Sequence, residues 1–343
     1  RSQRGFLGGV ASLETREDIM KLKLLGLALA ATLAAPQAFA QNYPNRAINV
    51  VVPYAPGGNT DVVGRLVAEH MSKVLGQQLV IENVAGAGGT TGSARAAKAE
   101  PNGYTLLVGQ MGTHAASVGL YPKLAYDPVS DFEHISQLSD TPIAVLVRKN
   151  FPAQTLSELI SMVKADPNKF NNGHGGVGST SHVTCMFFTT LIGARSPMVA
   201  YQGSGPALND IVSGQYDFLC DQIPHLVPQV RQGNIRALAI AQPERSPALP
   251  DVPTTIEAGL PAYQASGWNA MFAPKGTPRE IVEKLNAAAN AALDDPATKG
   301  KLEAIGAVIP RKENRTSDGL KKFVGAEIGK WAPIMKEAAS QVK

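Results

Sequence analysis

Four short loops in this chain are built from glycine and hydroxyl residues, and each comes directly before a helix pattern. Tyr54-Ala55-Pro56-Gly57-Gly58-Asn59-Thr60-Asp61 follows the apolar run Ile48 to Val52, and Gly86-Ala87-Gly88-Gly89-Thr90 follows Leu79 to Asn83. Gly178-Ser179-Thr180-Ser181-His182 and Gly203-Ser204-Gly205 repeat the pattern further along. A loop with small side chains at a helix start directs several backbone N–H groups toward one point, and the helix dipole makes that point favourable for an anion. None of the four loops contains Lys or Arg. The chemistry they offer is capture of a small anion by amides and hydroxyls.

Individual side chains have competing readings. Thr60 and Asp61 serve either as an ordinary N-cap or as groups facing a cleft, where Asp61 accepts a hydrogen bond from a ligand hydroxyl, amine or ordered water. Ser179, Thr180 and Ser181 resemble an anion cradle. Tyr201 either lends its phenol to a cleft or is half-buried, and Trp268 is a hinge residue or, more often for its type, core. Thr113 reads as a helix cap, while His114 and His182 present an N–H near a ligand or cap a helix. A metal at His174, His182 and Asp221 finds no support in zinc-type spacing.

Catalytic motifs are lacking. Gln202-Gly203-Ser204-Gly205 misses the first glycine of a nucleophile elbow, and Val177-Gly178-Ser179-Thr180-Ser181 misses the last. There is no phosphate-binding Gly-x-x-x-x-Gly-Lys-Ser/Thr run, and the glycines at 86–89 do not complete a dinucleotide fingerprint. The residual enzymatic alternative is an exported hydrolase using Ser179 or Ser204 with His182.

The elements around these loops alternate strand and helix. Strands are expected at 48–52, 79–83, 104–109, 142–147, 198–201, 216–221, 235–241 and 268–273. Helices are expected after each glycine loop, at 93–99, from the capping box Thr155-Leu156-Ser157-Glu158 to Ala165, at 207–213 and at 225–232. Three more, at 278–293, 296–305 and 317–339, read as packing elements. This order predicts an α/β fold with mostly parallel sheets flanked by helices, and ligands in such sheets sit beyond the carboxyl ends of the strands. The chain crosses between lobes near Pro142 to Phe151 and again near Tyr263 to Asn269. Domain 1 is then 41–145 with 266–343, and domain 2 is 146–265.

Met20-Lys21-Leu22-Lys23, the apolar run Leu24 to Ala35 and Ala38-Phe39-Ala40 read as a secretory signal peptide behind an upstream extension. Removing 40 residues from 343 leaves 303, with 27 Lys/Arg against 25 Asp/Glu and a net charge of +2. Such a balance, without a basic run, argues against nucleic acid as a partner. Export favours a bridge between the only cysteines, Cys185 and Cys220, which would contribute roughly 3–4 kcal/mol in the chain-entropy model. The alternative is two buried free thiols.

Tyr54-x-Pro56-Gly57-Gly58-x-x-Asp61, Glu82-Asn83-x-x-Gly86-Ala87-Gly88-Gly89 and Pro101-Asn102-Gly103-Tyr104-Thr105-Leu106 together resemble the Bordetella uptake gene (Bug, or TctC-like) family. Gly203-Ser204-Gly205-Pro206-Ala207 and Ala273-Pro274-x-Gly276-Thr277-Pro278 extend the resemblance from Arg46 to about Lys336. Asn102 departs from the usual Asp at a turn. These are periplasmic solute-binding receptors of tripartite tricarboxylate transporters. The resemblance implies a two-lobed, periplasmic-binding-protein-like fold with a ligand cleft between lobes, no catalysis and no cofactor. It implies as ligands di- and tricarboxylates, acidic amino acids or aromatic acids, and as partner a membrane permease. We expect a monomer, with a ligand sensor for a signalling system as a further alternative. In this family one carboxylate meets the Tyr54 to Asp61 and Ala87 to Thr90 loops, the distal end meets Gly178 to His182, and Tyr201, Ser204 and Asp221 lie at corresponding strand ends.

Overall fold

The computed structural model describes residues 43–340, so the expected signal peptide lies outside the described residues. The described residues form nine strands: β1 (Ile48–Val52), β2 (Leu79–Asn83), β3 (Thr105–Gln110), β4 (Phe132–Arg148), β5 (Asn172–His174), β6 (Met198–Ala200), β7 (Phe218–Gln222), β8 (Ile235–Ile240) and β9 (Ser266–Pro274). The helices are α1 (Asn59–Leu75), α2 (Thr90–Ala97), α3 (Ser117–Leu120), α4 (Leu156–Ala165), α5 (Thr180–Leu191), α6 (Ser204–Val212), α7 (Val227–Arg231), α8 (Arg279–Asp294), α9 (Pro296–Ala304) and α10 (Ser317–Ser340).

Local sequence explains the helices nearest the cleft. In α1, Val63, Val67, Ala68 and Met71 recur on one buried face, and Gly76 ends the helix in a left-handed conformation. Thr155 and Glu158 form the expected capping box for α4. The Ser179 hydroxyl accepts the His182 N–H and caps α5.

The sheet order is β2-β1-β3-β9-β4-β7-β5-β6, with β8 also on β4. Pairing is parallel for β1 with β2 and β3, and for β5 with β6 and β7. It is antiparallel wherever β4 or β9 takes part. Both strands run through the segments where the sequence places the crossings. Residues 132–142 of β4 pair with β9, and from Ile143 onward β4 pairs with β7 and β8 instead. Pro142 stands at the change of partner.

The first part of β4 was not legible in the sequence, which marks a strand only from Pro142. Residues 132–141 carry Glu133, His134, Ser136, Gln137, Ser139 and Asp140, poor strand formers by type. They are held by the ladder to β9, which is interrupted by irregularities at His134/Ser136 and Gln137/Ser139.

The expected Cys185–Cys220 bridge is corrected by the structure: both are free, buried thiols. Their proximity was anticipated, since Cys185 Sγ accepts the Cys220 N–H at 3.0 Å. Burial pushes the Cys185 thiol well above its ordinary pKa, so both side chains serve here as small apolar groups.

Trp268 belongs to the core. It is 1% exposed, packs edge-on against Phe323 and donates its Nε1–H to Glu327 at 2.9 Å. Trp268→Ala should therefore lower the unfolding free energy by about 3–5 kcal/mol. Urea denaturation followed by circular dichroism would show this as a lower midpoint.

Candidate functional site

Between β1 and α1, the loop from Tyr54 is shaped by Asp61. Its carboxylate accepts the Gly57 N–H at 3.0 Å, the Arg65 Nε–H at 3.0 Å and an Asn83 Nδ2–H at 3.0 Å. Burial alone would raise this carboxyl's pKa, but the bonds from Arg65, Gly57 and Asn83 outweigh it and hold it below the ordinary range. Asp61 therefore organises its own loop, and the Arg65 and Asn83 partners went unnoticed in the sequence. Tyr54 reaches sideways and donates its hydroxyl to Gly88 O at 2.9 Å. A Cβ at Gly89 would lie 2.7 Å from the Tyr54 ring and from Thr113 Cγ2, so only glycine fits.

The opposing loop is held by its own side chains. His174 Nδ1 accepts the Gly176 N–H at 3.1 Å, and His182 Nδ1 accepts the Gly178 N–H at 3.3 Å. Burial depresses His174 to about 4 and His182 to about 3, so both are neutral at physiological pH and fit these acceptor roles. Ser181 Oγ accepts the Gly175 N–H at 2.9 Å. Ser179 Oγ meets the main-chain N–H of His182 and not its ring, which removes the geometry a serine–histidine hydrolase requires. Thr180 Oγ1 is buried with no hydrogen-bond partner among the described residues.

These loops meet face to face. Ala55 N donates to Gln202 O at 3.0 Å. The Tyr121 hydroxyl lies 2.8 Å from Val177 O and 3.2 Å from Ala87 O, tying the two sides at the rim. A Cβ built on Gly88 would fall 1.6 Å from Val177 O, and one on Gly58 3.2 Å from Ser204 Cβ. Pro56 O sits where a Cβ of Gly205 would be, 2.0 Å away. The glycines permit the close approach.

Enclosed between them is a cavity of about 10 Å³, walled by Tyr54, Gly58 to Asp61 and Gln110 on one side and Ser204 and Gln222 on the other. The starts of α1 and α6 converge on it. Neither Gly58 nor Gly203, their N-cap residues, supplies a side-chain cap. Both helix starts thus lack a cap from the N-cap side chain, and they line a cavity whose wall carries no Lys or Arg. A polar cluster backs Asn59 and Thr60: Asn59 Nδ2 donates to Asn269 Oδ1 at 2.7 Å, Asn269 Nδ2 to Thr60 Oγ1 at 3.2 Å, and Ser139 Oγ to Asn269 Oδ1 at 3.3 Å. The sequence reading missed Asn59, Gln110, Ser139, Gln222 and Asn269. For Gln222 its place one residue beyond Asp221 at a strand end was the available signal.

Other expected site residues lie elsewhere. His114 is fully buried in a core cluster, stacked on Phe272 with ring centroids 4.1 Å apart. Thr113 Oγ1 accepts the Gln110 N–H within a π-turn spanning Gly112–Ala116. Tyr201 packs against Tyr216 and its phenol, next to Asp210, is raised by burial and by that carboxylate to about 12. Thr90 donates back to Ala87 O at 2.9 Å. No three His, Cys, Asp or Glu side chains among the described residues are grouped as metal ligands.

The starts of two helices line one cleft, and comparison with known proteins gives the family. The model of the tripartite tricarboxylate transporter family receptor (TctC) matches residues 63–339. The chain belongs to that family. BugT of Bordetella pertussis is 35% identical over 323 residues, 94% of this chain and 98% of its own length. MatC from Rhodopseudomonas palustris, solved with bound malate, is 46% identical with a TM-score of 0.83, covering 85% of this chain and all of its own. A second R. palustris protein, solved with adipate, is 34% identical with a TM-score of 0.83, covering 87% and 99%. The fold is accordingly two-lobed, and the protein is a periplasmic solute-binding receptor.

Asp61→Asn should reduce stability by about 1.5–3 kcal/mol at pH 7, the scale of bonds to a charged group. Because folding lowers this carboxyl's pKa, its contribution is present above the unfolded value of about 3.9 and vanishes as pH falls through the folded one. Urea unfolding of both proteins at pH 7 and at pH 3 should show the gap narrowing in acid.

Proposed function

We propose that this receptor captures a small di- or tricarboxylate, one carboxylate lying between the facing starts of α1 and α6. The observation that carries this reading is the pair of helix starts without side-chain caps, opposed across a cavity whose wall has no basic residue. The malate and adipate held by the two R. palustris relatives support a carboxylate as the class of ligand. Gly58, Thr60 and Ser204 provide the N–H and hydroxyl donors around that carboxylate, with Gly57, Gly88, Gly89 and Thr180 completing the enclosure. The bound acid is then delivered by the monomeric receptor to the membrane permease of a tripartite transporter.

A cavity of about 10 Å³ has room for about one water molecule. Entry of a dicarboxylate therefore requires the lobes to part. We assign the lobes as 41–145 with 266–343 and 146–265, joined where β4 changes partner and at the start of β9. A ligand touching both sides gains its second set of contacts only on closure, which shifts the population toward the closed form.

Calorimetry with malate and adipate tests the site. Gly58→Val inserts a side chain against Ser204 and Gly205 and should cost more than about 2 kcal/mol of binding, the scale of lost charge-assisted bonds. Thr180→Ala should cost about 0.5–1.5 kcal/mol of binding and leave folding stability unchanged. Wild-type affinity in folded Gly58→Val would remove this loop from the site.

Closure is tested by two alanines of matched backbone strain. Gly88 and Gly76 have φ of +63° and +68°, but only the Cβ at Gly88 meets the opposite lobe. Small-angle scattering should show Gly88→Ala failing to compact with saturating malate or adipate, whereas Gly76→Ala compacts like the wild type.

A further inference from the structure

Asn59 is the first residue of α1, is 2% exposed and belongs to the cavity wall. Its amide nitrogen is engaged behind that wall: Nδ2 donates to Asn269 Oδ1 at 2.7 Å, an oxygen that also accepts the Ser139 hydroxyl at 3.3 Å. The opposite edge of the amide is left over. Asn59 Oδ1 is buried with no hydrogen-bond partner among the described residues. Other polar side chains of the wall are differently placed. Asp61 holds N–H groups of Gly57, Arg65 and Asn83, and Gln110 Oε1 accepts the Gly112 N–H at 3.3 Å. Gln222 donates through Nε2 to Thr141 Oγ1, and Tyr54 gives its hydroxyl proton to Gly88 O. Thr180 Oγ1 and Asp221 Oδ2, also buried without a partner there, belong to residues outside this wall.

An amide oxygen only accepts, so whatever completes Asn59 must bring a proton. An ionised carboxylate has none to give. An ammonium group has three, but it carries positive charge against the starts of α1 and α6, where the helix dipoles disfavour a cation. The one acid in the wall, Asp61, is already held by Arg65 and supplies no spare counter-charge. A hydroxyl donates without charge. We propose that Asn59 is a specificity-determining residue whose Oδ1 accepts a hydrogen bond from a hydroxyl borne close to the bound carboxylate. A hydroxy-substituted dicarboxylate is then the preferred substrate class.

The inference rests on the carboxylate reading above and deepens it. Malate carries its hydroxyl next to one carboxylate and one carbon further from the other, so either end at the helix starts brings the hydroxyl near Asn59. Succinate and adipate have no such group. Closure around them leaves Asn59 Oδ1 desolvated and unpaired, which is where a site built for a hydroxyl discriminates.

Calorimetry near neutral pH, with each enantiomer of malate, succinate and oxaloacetate, tests this. The better-bound malate is expected to exceed succinate and oxaloacetate by about threefold to tenfold, the scale of one neutral hydrogen bond. In Asn59→Ala, with its fold checked by circular dichroism, malate should lose more affinity than succinate, so that the preference collapses. Succinate bound as tightly as malate by the wild type means that a trapped water serves the amide oxygen equally well, and overturns the inference alone. Oxaloacetate, whose keto oxygen only accepts, matching malate means that the amide presents its nitrogen to the ligand, and does the same. So does a loss in Asn59→Ala that is equal for malate and succinate, which is the mark of a purely structural role. If Asn59→Ala does not fold, Asn59→Leu, closer to asparagine in shape, is put through the same comparison. Binding of succinate, oxaloacetate or adipate without malate also overturns the inference alone. Failure of all four acids to bind overturns the carboxylate reading, and the inference with it.

Discussion

The starts of α1 and α6 approach so closely that a Cβ on Gly58 or Gly205 would meet the other loop, and the architecture around the cleft depends on that approach. It needs loops without bulk, which glycine supplies at 57, 58, 203 and 205, and it brings Pro56 O to within 2.0 Å of where a Gly205 Cβ would stand. The cavity wall between them carries no Lys or Arg. Arg65, the nearest basic side chain on α1, is drawn away onto Asp61 and Asn83.

The meeting of the glycine loops was legible in the sequence because backbone chemistry needs little side-chain information. The glycine-rich segments at 54–61, 86–90, 178–182 and 203–205 all meet in the structure. What escaped was the polar cluster behind Asn59 and Thr60. Asn269 and Ser139 come from β9 and from the polar first part of β4, whose strand character depends on pairing with each other and not on local propensity. His114 misled for the opposite reason: a histidine following a glycine-rich turn looks accessible, yet stacking on Phe272 and burial make it core. Tyr201 sits at the expected strand end, but Asp210 one helical segment later claims its hydroxyl.

The cysteines give a related lesson. Compartment and spacing pointed to proximity, and proximity is what the fold supplies. The pair instead fills space between α5 and β7, where Cys185 Sγ receives a strand N–H. Histidines 174 and 182 are similarly absorbed into structure. As neutral acceptors they satisfy glycine amides that would otherwise be unpaired beside the cleft.

Pro142 stands where β4 leaves β9 and takes up β7 and β8. A residue in the middle of a sheet ordinarily brings a donor that must stay paired as neighbouring strands shift, and proline brings none. Its carbonyl remains engaged, accepting the Ile223 N–H at 2.9 Å. The strand therefore passes from one set of neighbours to the other at a residue that leaves no unpaired N–H behind.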